Sequence, residues 1–253
     1  MRKADPDADL SRDAEAAASA GLKGMIPIDR PFLDYVLSSI ADAGYERVCL
    51  VIGPENDAIR EYYRNNVPTR INLEFSIQEK PLGTADAVLS LESFAGGKPF
   101  VVLNSDNYYP VEALRALRDA PAPAIIGFAR SALIEGGNVE PDRVTRFGAL
   151  EIGANDCLIS ITARPGAARP VDGDEIYASM NCWLFDEVIF EACRRVAVSP
   201  RGELELPRAV QLAIDTMSVC FNVVRIAAPV LDLSTRGDIA TVRERLKGVK
   251  VRL

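Results

Sequence analysis

The chain has 253 residues, 48% of them hydrophobic, which suits one large α/β domain or one domain with an appended lobe. A net charge of -7 argues against nucleic acid or an anionic membrane as partner, and no apolar run approaches the ~20 residues that span a bilayer. There is no histidine, which removes Ser-His and Cys-His triads, histidine-ligated zinc and histidine general bases together.

The first twenty residues are acidic and Ala-rich and lack the apolar core of a secretory signal. "LKGMIP" then sets Lys23 four residues before Pro27. "RPFLDYVLSSIADAG" places Phe32, Leu33, Val36, Leu37 and Ile40 on one helical face, with Pro31 in the first turn and Gly44 as a stop. "RVCLVIG" (47–53) is a buried strand and "ENDAIREYYRNN" a helix. "NLEFSIQ" (72–78), "TADAVLSLESF" and "PFVVLNSDN" continue as strand, helix and strand, followed by a helix in "VEALRALRD" and a strand in "AIIGFAR".

This alternation predicts a doubly wound sheet of parallel strands, with ligands at their carboxyl ends. Gln78, Asp106 and Asn107 all fall there. From about residue 131 the pattern changes. "RVTRFGALEIG" and "LISITARP" read as a hairpin turning at "GANDC", and "RPGAARPVDGDE" (164–175) as a mobile loop. "IYASMNCWLFD" is a strand, and "GELELPRAVQLAID", "VCFNVVRIAAPV" and "RGDIATVRERL" are helix, strand and helix. The five cysteines (49, 157, 182, 193, 220) lie in or beside apolar runs without CxxC spacing, which predicts buried reduced thiols and a cytoplasmic protein.

Chemistry falls to carboxylates, lysine, arginine, backbone amides and oxygen-liganded metals. In "QEKPLGTADAV" (78–88) the Gln78 amide offers a donor and an acceptor, enough to read a nucleobase edge. Gly83 lets backbone approach a flat ring, and Thr84 opens a helix whose start favours phosphate. The same stretch also reads as a plain strand–turn–helix connection with a capping threonine. Asp106, ending an apolar strand, suits a Mg²⁺ that bridges phosphate oxygens, or else a simple turn. Asp232 in "VLDLSTRGD" is a second such carboxylate, or part of a helix cap.

In this order the segments resemble the sugar-1-phosphate nucleotidyltransferases, the NDP-sugar pyrophosphorylases that include glucose-1-phosphate uridylyl- and thymidylyltransferases. "LKGMIPIDRPFLDYVL" is similar to the family's lysine segment, "QEKPLGTADAV" to its base-reading motif and "VVLNSDN" to its metal-binding strand. "VLDLSTRGDI" is similar to its C-terminal aspartate segment, and "RFGALEI" and "MNCWLFD" to its sugar-side strands. The resemblance implies a Rossmann-like, doubly wound α/β mixed sheet, the nucleotide-diphospho-sugar transferase fold. Residues 1–22 would be a polar segment, 23–130 a nucleotide-binding half and 131–253 a sugar-phosphate half of one domain. It further implies that a nucleoside triphosphate and a sugar-1-phosphate give NDP-sugar and pyrophosphate with Mg²⁺. Lys23 and Asp106 would be catalytic, Gln78, Gly83 and Thr84 nucleotide-binding, Gly148, Arg164 and Asn181 sugar-phosphate-binding, and Asp106 and Asp232 metal ligands. Relatives assemble into oligomers, so a homo-oligomer is in keeping.

Three departures stand out. "TARP" puts Ala163 and Arg164 where the family often has Glu and Lys; Arg still holds phosphate, whereas alanine has no bond to offer a sugar. Ser234 stands for a usual glycine. The family's first strand and Gly-rich phosphate loop have no counterpart before Lys23, which leads us to expect a start upstream of Met1, an impaired 253-residue form, and residues 1–22 as an insertion after that loop. A non-catalytic regulatory homologue, or a glycosyltransferase of related fold, are the competing expectations.

Overall fold

The computed structural model describes residues 14, 17, 19, 21–162 and 175–253. Helix α1 (Phe32–Asp42) follows a short 3-10 turn at Lys23–Met25. It leads into β1 (Arg47–Ile52), α2 (Asp57–Asn65) and β2 (Asn72–Ile77). Next come α3 (Thr84–Leu89), α4 (Glu92–Ala95), β3 (Phe100–Leu103), β4 (Asn107–Tyr108), α5 (Val111–Arg118) and β5 (Ala124–Ala129). Most of these elements fall where the apolar periodicities put them; the one helix read over 84–94 is two, α3 and α4, and the one strand read over 99–107 is split into β3 and β4. Gly44 ends α1 at φ +89°, a backbone angle that suits glycine.

The second half adds α6 (Arg130–Gly136), α7 (Pro141–Val144), β6 (Ala149–Ile152), β7 (Leu158–Thr162) and β8 (Tyr177–Phe185). It closes with α8 (Val188–Arg195), α9 (Leu206–Met217), β9 (Asn222–Ile226), β10 (Leu231–Asp232) and α10 (Asp238–Leu246). The hairpin expected over 143–165 is β6–β7, antiparallel, with Leu150 opposite Ile161. Helices α6, α7 and α8 are additions to the sequence reading, α7 taking the first residues of the segment read as a hairpin strand. The segment read as a loop at 164–175 lies outside the described residues except for Glu175.

The sheet is mixed rather than parallel throughout. β8 runs antiparallel to β5, β6 and β3, while β5 and β9 are parallel, as are β1 and β2. The fold is nonetheless α/β, with helices packed over a largely buried β5. One core gathers α1, α5 and α10; a second gathers α3, α8 and α9 around Trp183, Phe185 and Phe221. Each draws on both halves of the chain.

The sheet has a gap. Among the described residues β1 pairs with β2 and with no other strand, and β3 pairs with β8 and with no other strand. Between the free edges of β1 and β3 lies a cavity of about 590 Å³. Val48 and Leu50 of β1, Val101 and Leu103 of β3, and Leu33 and Leu37 of α1 line it. The four strand residues are half-buried, unlike the fully buried β5.

The cysteine expectation needs correcting. Cys182 and Cys193 are buried and free and Cys49 is half-buried and free, its thiol pushed up to about 11 by burial. Cys157, half-buried, and Cys220, exposed, are instead joined in a disulfide with Cα atoms 5.6 Å apart. The antiparallel bridge between Cys157 and Asn222 brings the two thiols within bonding reach, which apolar neighbours in sequence do not reveal.

Candidate functional site

Two very short strands assemble the site. After β3 the chain turns through Asn104–Asp106 and enters β4, which pairs antiparallel with β10, so that Asn107 lies opposite Asp232 and Tyr108 opposite Leu231. The amide of Leu233 donates to the Asp106 carbonyl at 2.8 Å. The buried Asn107 side chain donates to Asp232 Oδ1 at 3.1 Å. The pairing therefore makes neighbours of Asp106 and Asp232, both expected from the sequence. Lys23 arrives on its 3-10 turn and places Nζ 2.6 Å from Asp106 Oδ2. Lysine and carboxylate remain partly exposed there, as groups that meet a ligand must.

Asp232 has a different setting. It is 4% exposed, and burial pushes its carboxyl up from the usual range while the neighbouring Arg143 pulls it back down. Both of its oxygens are engaged. Oδ1 accepts from Asn107 and, at 2.8 Å, from Ser234 Oγ, and Oδ2 is paired with Arg143 Nη2. The other nitrogen of Arg143, Nη1, reaches Asp238 at 2.8 Å. Asp238 in turn accepts from the amides of Ser234 and Thr235. Asn138 clamps the backbone of Asp232 on both sides, donating to its carbonyl and accepting from its amide, each at 2.8 Å. Ser234, the departure from glycine, thus has a partner in Asp232.

A divalent cation asks for oxygen ligands with open lone pairs. Among the described residues no cluster of three or more Cys, Asp or Glu side chains forms a metal cage. Asp106 meets the demand in part, since its Oδ1 accepts from no donor among the described residues, while Oδ2 holds Lys23. Asp232 has both sites of Oδ1 taken by Asn107 and Ser234, and its Oδ2 carries the guanidinium of Arg143, whose positive charge opposes a cation there.

Gln78, expected from the sequence to read a base, follows β2 and uses its side-chain amide nitrogen locally, donating to the Gly83 carbonyl at 3.0 Å and to Asp86 Oδ2 at 2.8 Å. Its side-chain oxygen is the group left for a ligand. Gly83 sits at φ +125°, and a Cβ there would come 2.4 Å from the Leu204 carbonyl oxygen. The glycine lets residues 82–85 lie against Leu204, whose amide donates to Leu82 and whose carbonyl accepts from Ala85. Thr84 is exposed, and its hydroxyl accepts from the Leu206 amide at 2.9 Å, at the start of α9.

Of the residues expected to meet a sugar phosphate, Gly148 accepts from the Ser179 amide through its carbonyl at 2.8 Å, tying the start of β6 to β8. Asn181 lies within β8 at φ +55°, where the β5–β8 register slips by a bulge. A non-glycine residue at positive φ inside a strand re-aims its side chain out of the ordinary pleat. The buried Tyr109 hydroxyl donates to the Met180 carbonyl at 2.6 Å and so braces the bulge from the β4 side. Arg164 and Ala163 lie outside the described residues. Sequence reasoning missed Arg143 and Asn138, which no spacing or motif marks.

Residues 21–235 match the family described as nucleotidyl transferase. The bifunctional protein GlmU of Methanococcus vannielii is 29% identical over 202 residues, covering 77% of this chain and 43% of that protein. A glucose-1-phosphate thymidylyltransferase of an Actinoplanes species is 27% identical, covering 85% of this chain and 68% of its own. The chain spans less than half the length of the GlmU proteins it matches. Among solved structures, a UDP-glucose pyrophosphorylase complexed with UDP-glucose superposes with a TM-score of 0.69 at 14% identity, over 90% of this chain and 91% of that one. The UDP-glucose pyrophosphorylase from Acinetobacter baumanii gives 0.69 at 19% identity, over 90% and 87%. These likenesses establish the fold.

Proposed function

Since the chain belongs to the nucleotidyl transferase family, we propose that it joins a nucleoside triphosphate to a sugar-1-phosphate, giving an NDP-sugar and pyrophosphate. The observation that carries this reading is the convergence of Lys23, Asp106 and Asp232 at the ends of β3 and β10. An oxygen of the sugar phosphate attacks the α-phosphorus; the new O–P bond forms as the bond to the β-phosphate oxygen breaks, and pyrophosphate leaves with that electron pair. The nucleophile is already an anion, so a chain without histidine loses nothing. Positioning and charge neutralisation supply the catalysis.

In this reading Lys23 neutralises phosphate charge, Gln78 reads the base through its free oxygen, and the backbone at Gly83 and Thr84 shapes the base-side turn. Gly148 and Asn181 face the sugar, with Arg164 on its phosphate. When bound, Mg²⁺ would be held first by Asp106 and would offset triphosphate charge. By their names, the Actinoplanes relative is a thymidylyltransferase of glucose-1-phosphate and the solved structures are UDP-glucose pyrophosphorylases, so glucose-1-phosphate is the first sugar phosphate to try. The cytoplasm is the proposed compartment; the three free thiols favour it and the Cys157–Cys220 disulfide counts against it.

We also propose that the cavity between β1 and β3 takes a central strand from residues beyond these 253, and that without it turnover is impaired. Its support is the pair of free strand edges flanking an apolar slot. The test is pyrophosphate release across a panel of nucleoside triphosphates and sugar-1-phosphates, with the 253-residue chain and with a form extended upstream. The extended form should turn over one pair with Mg²⁺, and Lys23→Met or Asp106→Asn should lower kcat by about 10²–10³-fold with the fold retained. Full activity in both variants would overturn the assignment. No release from either form, with nucleotide sugar still bound, would favour the non-catalytic reading, which the engaged state of Asp232 also supports.

A further inference from the structure

Arg143 is an unexpected residue to find on Asp232. It comes from the short α7, and its guanidinium spans two carboxylates, Asp232 and Asp238, from different parts of the C-terminal segment. Guanidinium is planar and permanently charged, and two carboxylates at its two ends fix its orientation as no lysine could. The remaining oxygen of Asp232 is filled by Asn107 and Ser234. Asn138, five residues before Arg143, holds the Asp232 backbone in register beneath the pair. The loop 138–143 therefore grips Asp232 by main chain and by side chain together.

We infer that Arg143 is the resident counter-ion of Asp232, so that a divalent cation enters this site on Asp106 alone and gains Asp232 as a ligand only when Arg143 is withdrawn. Exposure sets the order of entry. Lys23 balances Asp106, and the single charge of Arg143 is shared by Asp232 and Asp238, so the one net negative charge lies on the two buried aspartates, behind the partly exposed Asp106. A cation approaching from solvent meets Asp106 first; to reach Asp232 it must break both carboxylate contacts of Arg143. Asp232, held in this way, positions the β4–β10 pair, and Arg143 acts through it as a positioning residue. The inference rests on the Asp106 site proposed above, but it concerns metal binding and is read without turnover.

The experiment titrates Mn²⁺ into the protein and follows the free ion by electron paramagnetic resonance, for the parent chain, Asp106→Asn, Asp232→Asn, Arg143→Met and Arg143→Lys. If the parent binds Mn²⁺, Asp232→Asn should leave its affinity within about twofold and Asp106→Asn should weaken it by about tenfold or more. Arg143→Met should tighten binding by about tenfold, and the double variant Arg143→Met with Asp232→Asn should lose that gain. If the parent binds none, Arg143→Met should create binding that the double variant lacks. Equal affinity, or equal absence of binding, in the parent and Arg143→Met overturns the inference, as does a tenfold loss in Asp232→Asn alone. Arg143→Lys, which keeps the charge and loses the fork, guards against misfolding of the methionine variant; it should fall between parent and Arg143→Met. A failed turnover assay leaves these readouts untouched.

Discussion

Asp34 on α1 shows how a single carboxylate is made tolerable in a core. It is fully buried, yet it accepts from the hydroxyls of Tyr62 at 2.8 Å and Tyr63 at 2.9 Å and pairs with Arg30 at 3.0 Å. Removing it strands the buried Tyr63 hydroxyl. Asp34→Ala should therefore cost about 1–3 kcal/mol in urea unfolding, with Asp34→Asn costing less because its carbonyl still accepts. An unchanged midpoint for Asp34→Ala would show that the tyrosines find other acceptors. At this scale the sequence reveals residues whose meaning is carried by their own segment: Asp106 and Asp232 each end an apolar run, and Lys23 stands at fixed spacing before a proline. Arg143 was hidden because its meaning lies with partners 89 and 95 residues away, which no local pattern encodes.

Among the elements, the turn at Gly83 joins two parts of the fold. Residues 82–85 pair with Leu204 through two backbone bonds, and the Thr84 hydroxyl takes the Leu206 amide as α9 begins. A side chain at 83 meets the Leu204 backbone, not a flexible neighbour, and would do so at φ +125°. Gly83→Ala should lower stability by about 1–3 kcal/mol, read as a fall in Tm, independently of any nucleotide. A Tm equal to that of the parent would mean that the 82–85 segment shifts away from Leu204 without penalty. Element positions were read well wherever apolar periodicity was long, as in α1, α2 and β5. Helix α8 escaped because "VIFEACRR" follows the strand of β8 directly and is rich in β-branched and aromatic residues that favour either state. The bulge at Asn181 was equally invisible, since it is imposed by the register of β5 against β8.

For the whole molecule, the sequence indicated an α/β fold, and the motif order, with nothing in its first place, led to the expectation of a further strand, which the free edges of β1 and β3 are in keeping with. The sequence did not show that the sheet splits at that place into separately hydrogen-bonded parts. A form with an apolar strand upstream should have a higher Tm than the 253-residue chain and bind less of a hydrophobic dye, because backbone groups left unpaired each cost about 1–3 kcal/mol when buried. Equal Tm and equal dye binding would mean that the slot stays open. The β4–β10 pair carries a consequence of another kind. It is two residues long on each side and joins positions 125 residues apart. During synthesis, Asp106 leaves the ribosome long before Asp232 does, so the β4–β10 pair cannot close until the end of the polypeptide has emerged. An unfinished chain therefore holds Lys23 and Asp106 but has no Asp232 to set beside them.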